Sequence, residues 1–193
     1  AGTGPGPDPG LQKPPKSERG ADSSWNTTCS GEHMKMALEE DLKGNTVFTL
    51  HTAEMDYEMT YLAEKYQMTP VEYLNSFELL GAHTLTAHSI RLTEADCRLL
   101  AETKTNVAHC IGSNTKAAKG VAPVALLRSL GVNVGLGTDG PASGNTLDLF
   151  TQMRMCRKFT NKNTLKDRSA FPCKRDRENG DKLRETKLWD WEM

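Results

Sequence analysis

Short apolar strands that each run into a histidine or an aspartate, with helical segments between them, constrain this chain more than any other feature. The strand segments are "TVFTLHTAE" (46–54), "HTLTAH" (83–88), "TNVAHC" (105–110) and "VNVGLGTDG" (132–140). Between them lie stretches of helical periodicity. In "SGEHMKMALEEDLKG" (30–44), Ser30 can cap the start and Gly44 stops the run. A further helix is expected from about Met55 to Tyr66, then "PVEYLNSFELLG" with Pro70 in its first turn. "TEADCRLLAETK" has Thr93 as its N-cap, and "APVALLRSLG" and "TLDLFTQMRMCRKF" follow. "IGSNTKAAKG" (111–120) is read as a polar loop. Four strand–helix alternations with continuous apolar strands predict an α/β fold, a parallel sheet covered by helices. The helix apolar rows, Met153 and Met155 included, are expected to pack against that sheet.

In parallel α/β folds the chemistry gathers at the carboxyl ends of the strands. Here those positions hold His51, His88, His109 and Asp139, which takes three of the five histidines in the chain. One such histidine would mean little, because a lone imidazole at a strand end is commonly a satisfied structural group. Four successive strands ending this way point to a site. Imidazole and carboxylate suit Zn²⁺ or Fe²⁺, and such an ion makes hydroxide available near neutral pH. Glu54, beside His51, could take a proton from water and pass it to a leaving nitrogen. The glycines of "GTDGPASGN" allow tight turns around Asp139 and leave room for a ligand. "SNTK" (113–116) is read either as a substrate-side loop or as a turn capping the next helix. No glycine-rich nucleotide fingerprint follows any strand.

Composition narrows the class. A net charge of −1 over 193 residues gives no basis for expecting nucleic-acid or membrane-surface partners. No apolar run approaches the roughly 20 residues needed to span a bilayer. The five cysteines are scattered and never spaced as CxxC. That predicts reduced thiols and a cytoplasmic location. Residues 1–27 are rich in Pro, Gly, Ser and charge, and are expected to be disordered.

Taken as an ordered set, the segments "TCSGEHMKMAL", "NTVFTLHTAE", "TPVEYLNSFELLG", "TLTAHSIRLTEAD" and the long run from "NVAHCIGSNTK" to "TLDLFTQMR", with "AFP" after it, resemble the amidohydrolase superfamily. The similarity is greatest to the branch of 5′-methylthioadenosine/S-adenosylhomocysteine deaminases and triazine chlorohydrolases, and it covers Thr28 to Pro172. The resemblance implies a metal-dependent hydrolase (β/α)8 TIM-like barrel, with this chain carrying about strands five to eight in residues 28–172. It implies hydrolytic removal of an amino or similar leaving group from a purine-like or triazine-like heterocycle, with one divalent metal, Zn²⁺ or else Fe²⁺. His51 and Asp139 would be metal ligands and Glu54 the proton shuttle. His88 would be both catalytic and substrate-binding, and His109, Ser113 and Asn114 would lie on the substrate side.

Departures from the pattern are equally specific. The family's first-strand HxH pair, which supplies two more metal ligands, occurs nowhere in the 193 residues. Half of a barrel and of a metal shell predicts a chain that is inactive alone, or a non-catalytic half-barrel that acts by associating with another chain. Homo-oligomers formed through exposed sheet edges are expected. Residues 173–193 leave the family pattern. "KRDRENGDK" (174–182) can be encoded by codons whose frame shifted by one nucleotide reads K-E-I-V-K-M-A-T, similar to the family's continuation, so a frameshift is the expected origin of this tail.

Overall fold

The computed structural model describes residues 22–23 and 29–163. Its strands are β1 (Asp22–Ser23), β2 (Phe48–Thr52), β3 (Thr84–His88), β4 (Asn106–His109) and β5 (Val134–Leu136). They form one sheet in the order β1-β2-β3-β4-β5, and every neighbouring pair is parallel. The helices are α1 (Gly31–Gly44), α2 (Asp56–Tyr66), α3 (Pro70–Ser76), α4 (Glu94–Glu102), α5 (Ile111–Lys116), α6 (Val124–Ser129), α7 (Pro141–Gly144) and α8 (Leu149–Asn163).

Local chemistry fixes the helix ends. The Ser30 hydroxyl accepts from the His33 amide at the start of α1. At its other end Gly44 is still helical, and Asn45 takes the left-handed turn (φ 51°) that closes the helix. Thr69 and Glu72 form a capping box around Pro70 at the start of α3, and Thr93 and Asp96 do the same for α4. Asp96 is buried and also accepts from the Thr69 hydroxyl at 2.6 Å, so one carboxylate ties the starts of two helices together.

Alternation along the strands separates two faces. Phe48 and Leu50 pack with Met34, Leu62, Leu74 and Leu79 on the helix side, while Val107 and Val134 pack with Val71, Leu100 and Leu127. Each such side chain contributes about 1.5–3 kcal/mol by leaving water. The opposite face carries the in-register row His51, Ala87, Ala108 and Gly135, all half-buried. Three residues with almost no side chain thus lie beside His51 and leave space above the sheet.

The structure departs from the sequence reading at three places. Residues 22–23 fall in the segment expected to be disordered, yet they add a fifth strand by pairing Asp22 with Thr49 and Ser23 with Leu50. The stretch read as a polar loop contains helix α5. His51 lies inside β2, one residue before its end, rather than beyond it. The remainder of 1–27 and the tail with its frameshift reading lie outside the described residues, as does Cys173. Cys29, Cys97, Cys110 and Cys156 are in no disulfide. Among the described residues no helix is long and apolar enough to cross a membrane.

Candidate functional site

The carboxyl ends of β2, β3 and β4 and the turn after β5 bring the singled-out residues to one edge of the sheet. Four residues there have left-handed backbones: Ala53 (φ 51°), His88 (φ 69°), Ser89 (φ 49°) and Asp139 (φ 57°). Such conformations cost about 1–3 kcal/mol each for non-glycine residues, so the surroundings must hold them. At His88 the bend has a visible effect. Strand alternation would put its side chain with Thr84 and Thr86 on the helix side. Instead its ring stacks on that of His51, with centroids 5.2 Å apart and planes 19° apart.

Glu54 is buried, and the main chain that carries it is clamped. Glu58, also buried and in the first turn of α2, accepts from the amides of Ala53 (3.0 Å) and Glu54 (2.9 Å) through its two carboxylate oxygens. This clamp holds the left-handed bend at Ala53 and fixes where the Glu54 side chain starts. Glu54 Oε1 lies 3.6 Å from His88 Nε2 and pairs with the Lys119 ammonium. Burial, as the main cause, pushes the His88 imidazole below its ordinary range. The hydrogen bond to Asn114 and the Glu54 carboxylate only partly offset it.

Helix α5 braces this group from one side. The Asn114 side-chain oxygen lies 2.8 Å from His88 Nδ1, and the buried Ser113 hydroxyl helps lower the Asp139 pKa. Burial of Asp139 works against its ionisation, but the Ser113 hydroxyl, the Gly140 amide (2.8 Å) and the nearby imidazoles outweigh it and hold the carboxyl below its usual range. Both Ser113 and Asn114 are buried, and Asn114 contacts the His88 ring directly. Lys116 donates to the Ala142 carbonyl and the Asn145 side chain, each at 2.7 Å, and so fastens the Asp139 turn to α5. A side chain at Gly144 would come within 2.5 Å of the Thr138 carbonyl oxygen, which explains the glycine in this turn.

His109 is wholly buried, and neither ring nitrogen has a hydrogen-bond partner among the described residues. Burial first, then the neighbouring His88, pushes its pKa down to about 4. The folded chain therefore holds it neutral, while the unfolded chain binds the extra proton between about pH 4 and pH 6.5. Stability accordingly rises with pH through that window and is lost as pH falls, by about 3 kcal/mol for this group at 1.36 kcal/mol per pKa unit. Urea midpoints measured between these limits should show the loss, and His109→Asn should flatten that part of the curve. An unaltered slope in the variant would assign the acid sensitivity elsewhere.

All seven residues singled out in the sequence lie at this end of the sheet or in the α5 and Asp139 segments next to it. Sequence reading missed Glu58, Lys119 and Gln152. Glu58 had a weak signal, a carboxylate four residues after Glu54 at a helix start. Lys119 and Gln152 had none.

The profile of the amidohydrolase family matches residues 17–175. The chain belongs to the amidohydrolase family. This amidohydrolase is 42% identical over 127 residues to a 5-methylthioadenosine/S-adenosylhomocysteine deaminase of Desulfitobacterium hafniense, a match that takes in 66% of this chain and 30% of that protein. Its fold matches an adenosine deaminase from Xanthomonas campestris with bound zinc, with TM-score 0.71 and 28% identity over 75% of this chain and 33% of that one. It also matches the fold of atrazine chlorohydrolase from Arthrobacter aurescens TC1, complexed with zinc, with TM-score 0.69 and 19% identity over 74% and 31% of the two chains. The sheet and its helices are thus part of the barrel these hydrolases share. The chain spans about a third of the length of the relatives it matches.

Proposed function

We propose that this amidohydrolase contributes one side of a metal-dependent deaminase centre, which removes an amino or similar group from a purine-like or triazine-like ring by hydrolysis. The observation that carries the reading is the convergence of His51, Glu54, His88 and Asp139 at one sheet edge, with Glu54 Oε1 3.6 Å from His88 Nε2. Deaminases among its relatives support the reaction class.

The donor set fits a metal in part. Among the described residues no three His, Cys, Asp or Glu side chains form a metal site. His51 and Asp139 are nonetheless donors of the right kind for zinc or iron, and Asp139 is held ionised for that role. Such an ion, when bound, would lower the pKa of water enough to supply a nucleophile near neutral pH. Glu54 would take a proton from the attacking water and deliver it to the leaving nitrogen. His88 presents Nε2 beside that carboxylate and orients the ring under attack. His109, wholly buried next to His88, would bear on the substrate only through that ring. The Ala87, Ala108 and Gly135 row leaves the flat space that a planar heterocycle needs.

The test is to express the chain together with an amino-terminal amidohydrolase segment that carries the HxH pair, then follow ammonia release from 5′-methylthioadenosine and chloride release from a chlorotriazine. Deamination of the purine by the assembled protein supports the reading. Halide release from the triazine alone would move it to the chlorohydrolase branch, and no turnover of either by a folded, metal-loaded assembly would end it.

A second reading, a non-catalytic half-barrel that works by association, is favoured by the open sheet. Among the described residues β1 and β5 each have one unpaired edge, and the face bearing Thr49, His51 and Leu85 is only half-buried. Unpaired edges recruit further strands. The chain alone should therefore dimerise or aggregate in light scattering at micromolar concentration. A dispersed monomer with a sharp cooperative melt would count against edge association.

A further inference from the structure

We infer that Asn114 sets the tautomer of His88 and that Gln152, forty residues along the chain from the helix it touches, is the positioning residue that keeps Asn114 in place. His88 Nδ1 lies 2.8 Å from Asn114 Oδ1, and both residues are buried. An amide oxygen only accepts, so Nδ1 must carry the hydrogen. In the neutral ring that leaves a lone pair on Nε2, the atom facing Glu54 at 3.6 Å. Fixed this way, His88 can take a proton from the Glu54 side and cannot supply one there until it has done so. The inference deepens the deaminase reading, on which the meaning of this tautomer rests, though not the tautomer itself.

Asn114 can do this only if α5 stays where it is, and α5 is a six-residue helix whose N-cap, Cys110, makes no side-chain cap bond. The missing cap comes from α8. Gln152 is wholly buried, and its side-chain oxygen accepts from the Gly112 amide at 2.8 Å. A Cβ at position 112 would sit 2.7 Å from that oxygen, so the glycine is what lets the glutamine reach the helix end. The route runs from Gln152 through the Gly112 amide to α5, and from Asn114 to the His88 ring. Each link is a contact between buried groups.

The test is the tautomer, read by magic-angle-spinning NMR of the full chain with ¹⁵N-labelled histidine, in a form that does not depend on its association state. Spectra are recorded above the ordinary imidazole range near pH 6.5, where His88 is neutral. The expected result is a pyrrole-type Nδ1 and a pyridine-type Nε2 for His88, in roughly tenfold excess, the ratio that about 1.4 kcal/mol sustains. Asn114→Asp and Gln152→Glu keep an acceptor and should keep the excess, whereas Asn114→Leu and Gln152→Leu should lose it. A predominantly Nε2–H form in the native chain, or an unchanged excess in folded leucine variants, overturns the proposal. If the leucine variants fail to fold, the native tautomer decides the part played by Asn114. Hydrogen exchange at the Gly112 amide then decides that of Gln152: core-like protection supports it, and exchange as fast as exposed amides overturns it. No turnover is measured, so failure of the deaminase reading and failure of this one are separate results.

Discussion

Glu54→Gln, in a barrel assembled with the missing metal ligands, should keep its metal and lose about 10²–10⁴-fold in turnover, the usual contribution of a positioned proton-transfer group. The amide keeps the size and one acceptor oxygen of the carboxylate, but it cannot take up and return a proton. Its position is set by the main chain, because Glu58 grips the amides of Ala53 and Glu54 whatever the side chain at 54. The substitution also removes the charge partner of Lys119, so Lys119→Met is the control that separates loss of that pair from loss of the shuttle. His51→Ala should behave differently. It removes a proposed donor and should weaken metal binding by more than the roughly 10–100-fold that supporting residues around a metal site typically cost. Metal content and turnover measured on the same samples distinguish the cases. Equal metal loss in the two variants would make Glu54 a ligand or a structural group, and its assignment as the proton carrier would fall.

What could be read from the sequence was what local rules determine. Ser30, Pro70 and Thr93 announce helix starts through rules that span a single turn, and all three helices begin there. The strand ends were legible because a histidine or aspartate closes each short run, although the strands alternate buried and half-buried positions where continuous burial was expected. Helix α5 was not legible. It is short, lacks a capping side chain of its own, and draws its cap from Gln152 on another helix. Lys119 and Glu54, 65 residues apart, meet only through the fold, so neither periodicity nor spacing marks the pair. Strand β1 is two residues long in a segment of unfavourable composition, and its pairing with β2 is what defines it. The stacking of His88 on His51 belongs to the same class. Alternation alone sends His88 to the wrong face, and only the left-handed backbone brings it back.

The chain by itself should bind zinc weakly and show no measurable deamination, and supplying the HxH segment should restore about one metal ion per barrel together with turnover. A catalytic zinc commonly holds three protein ligands and keeps one position open. His51 and Asp139 account for two. Neither His88 nor His109 is well placed to complete the set: His88 has Nδ1 engaged by Asn114 and Nε2 turned to Glu54, and His109 is wholly buried. The unpaired edges of β1 and β5 are where complementary strands would close the barrel, leaving the face beside His51, with its row of Ala87, Ala108 and Gly135, turned to the interior. Metal analysis of the chain alone, of the complemented chain, and of complemented His51→Ala and Asp139→Asn variants tests this directly. Metal should be retained in the second sample and largely lost from the two variants. A chain that alone binds one equivalent of zinc tightly would show that it completes the shell from its own side chains, and the two-ligand assignment would have to be abandoned.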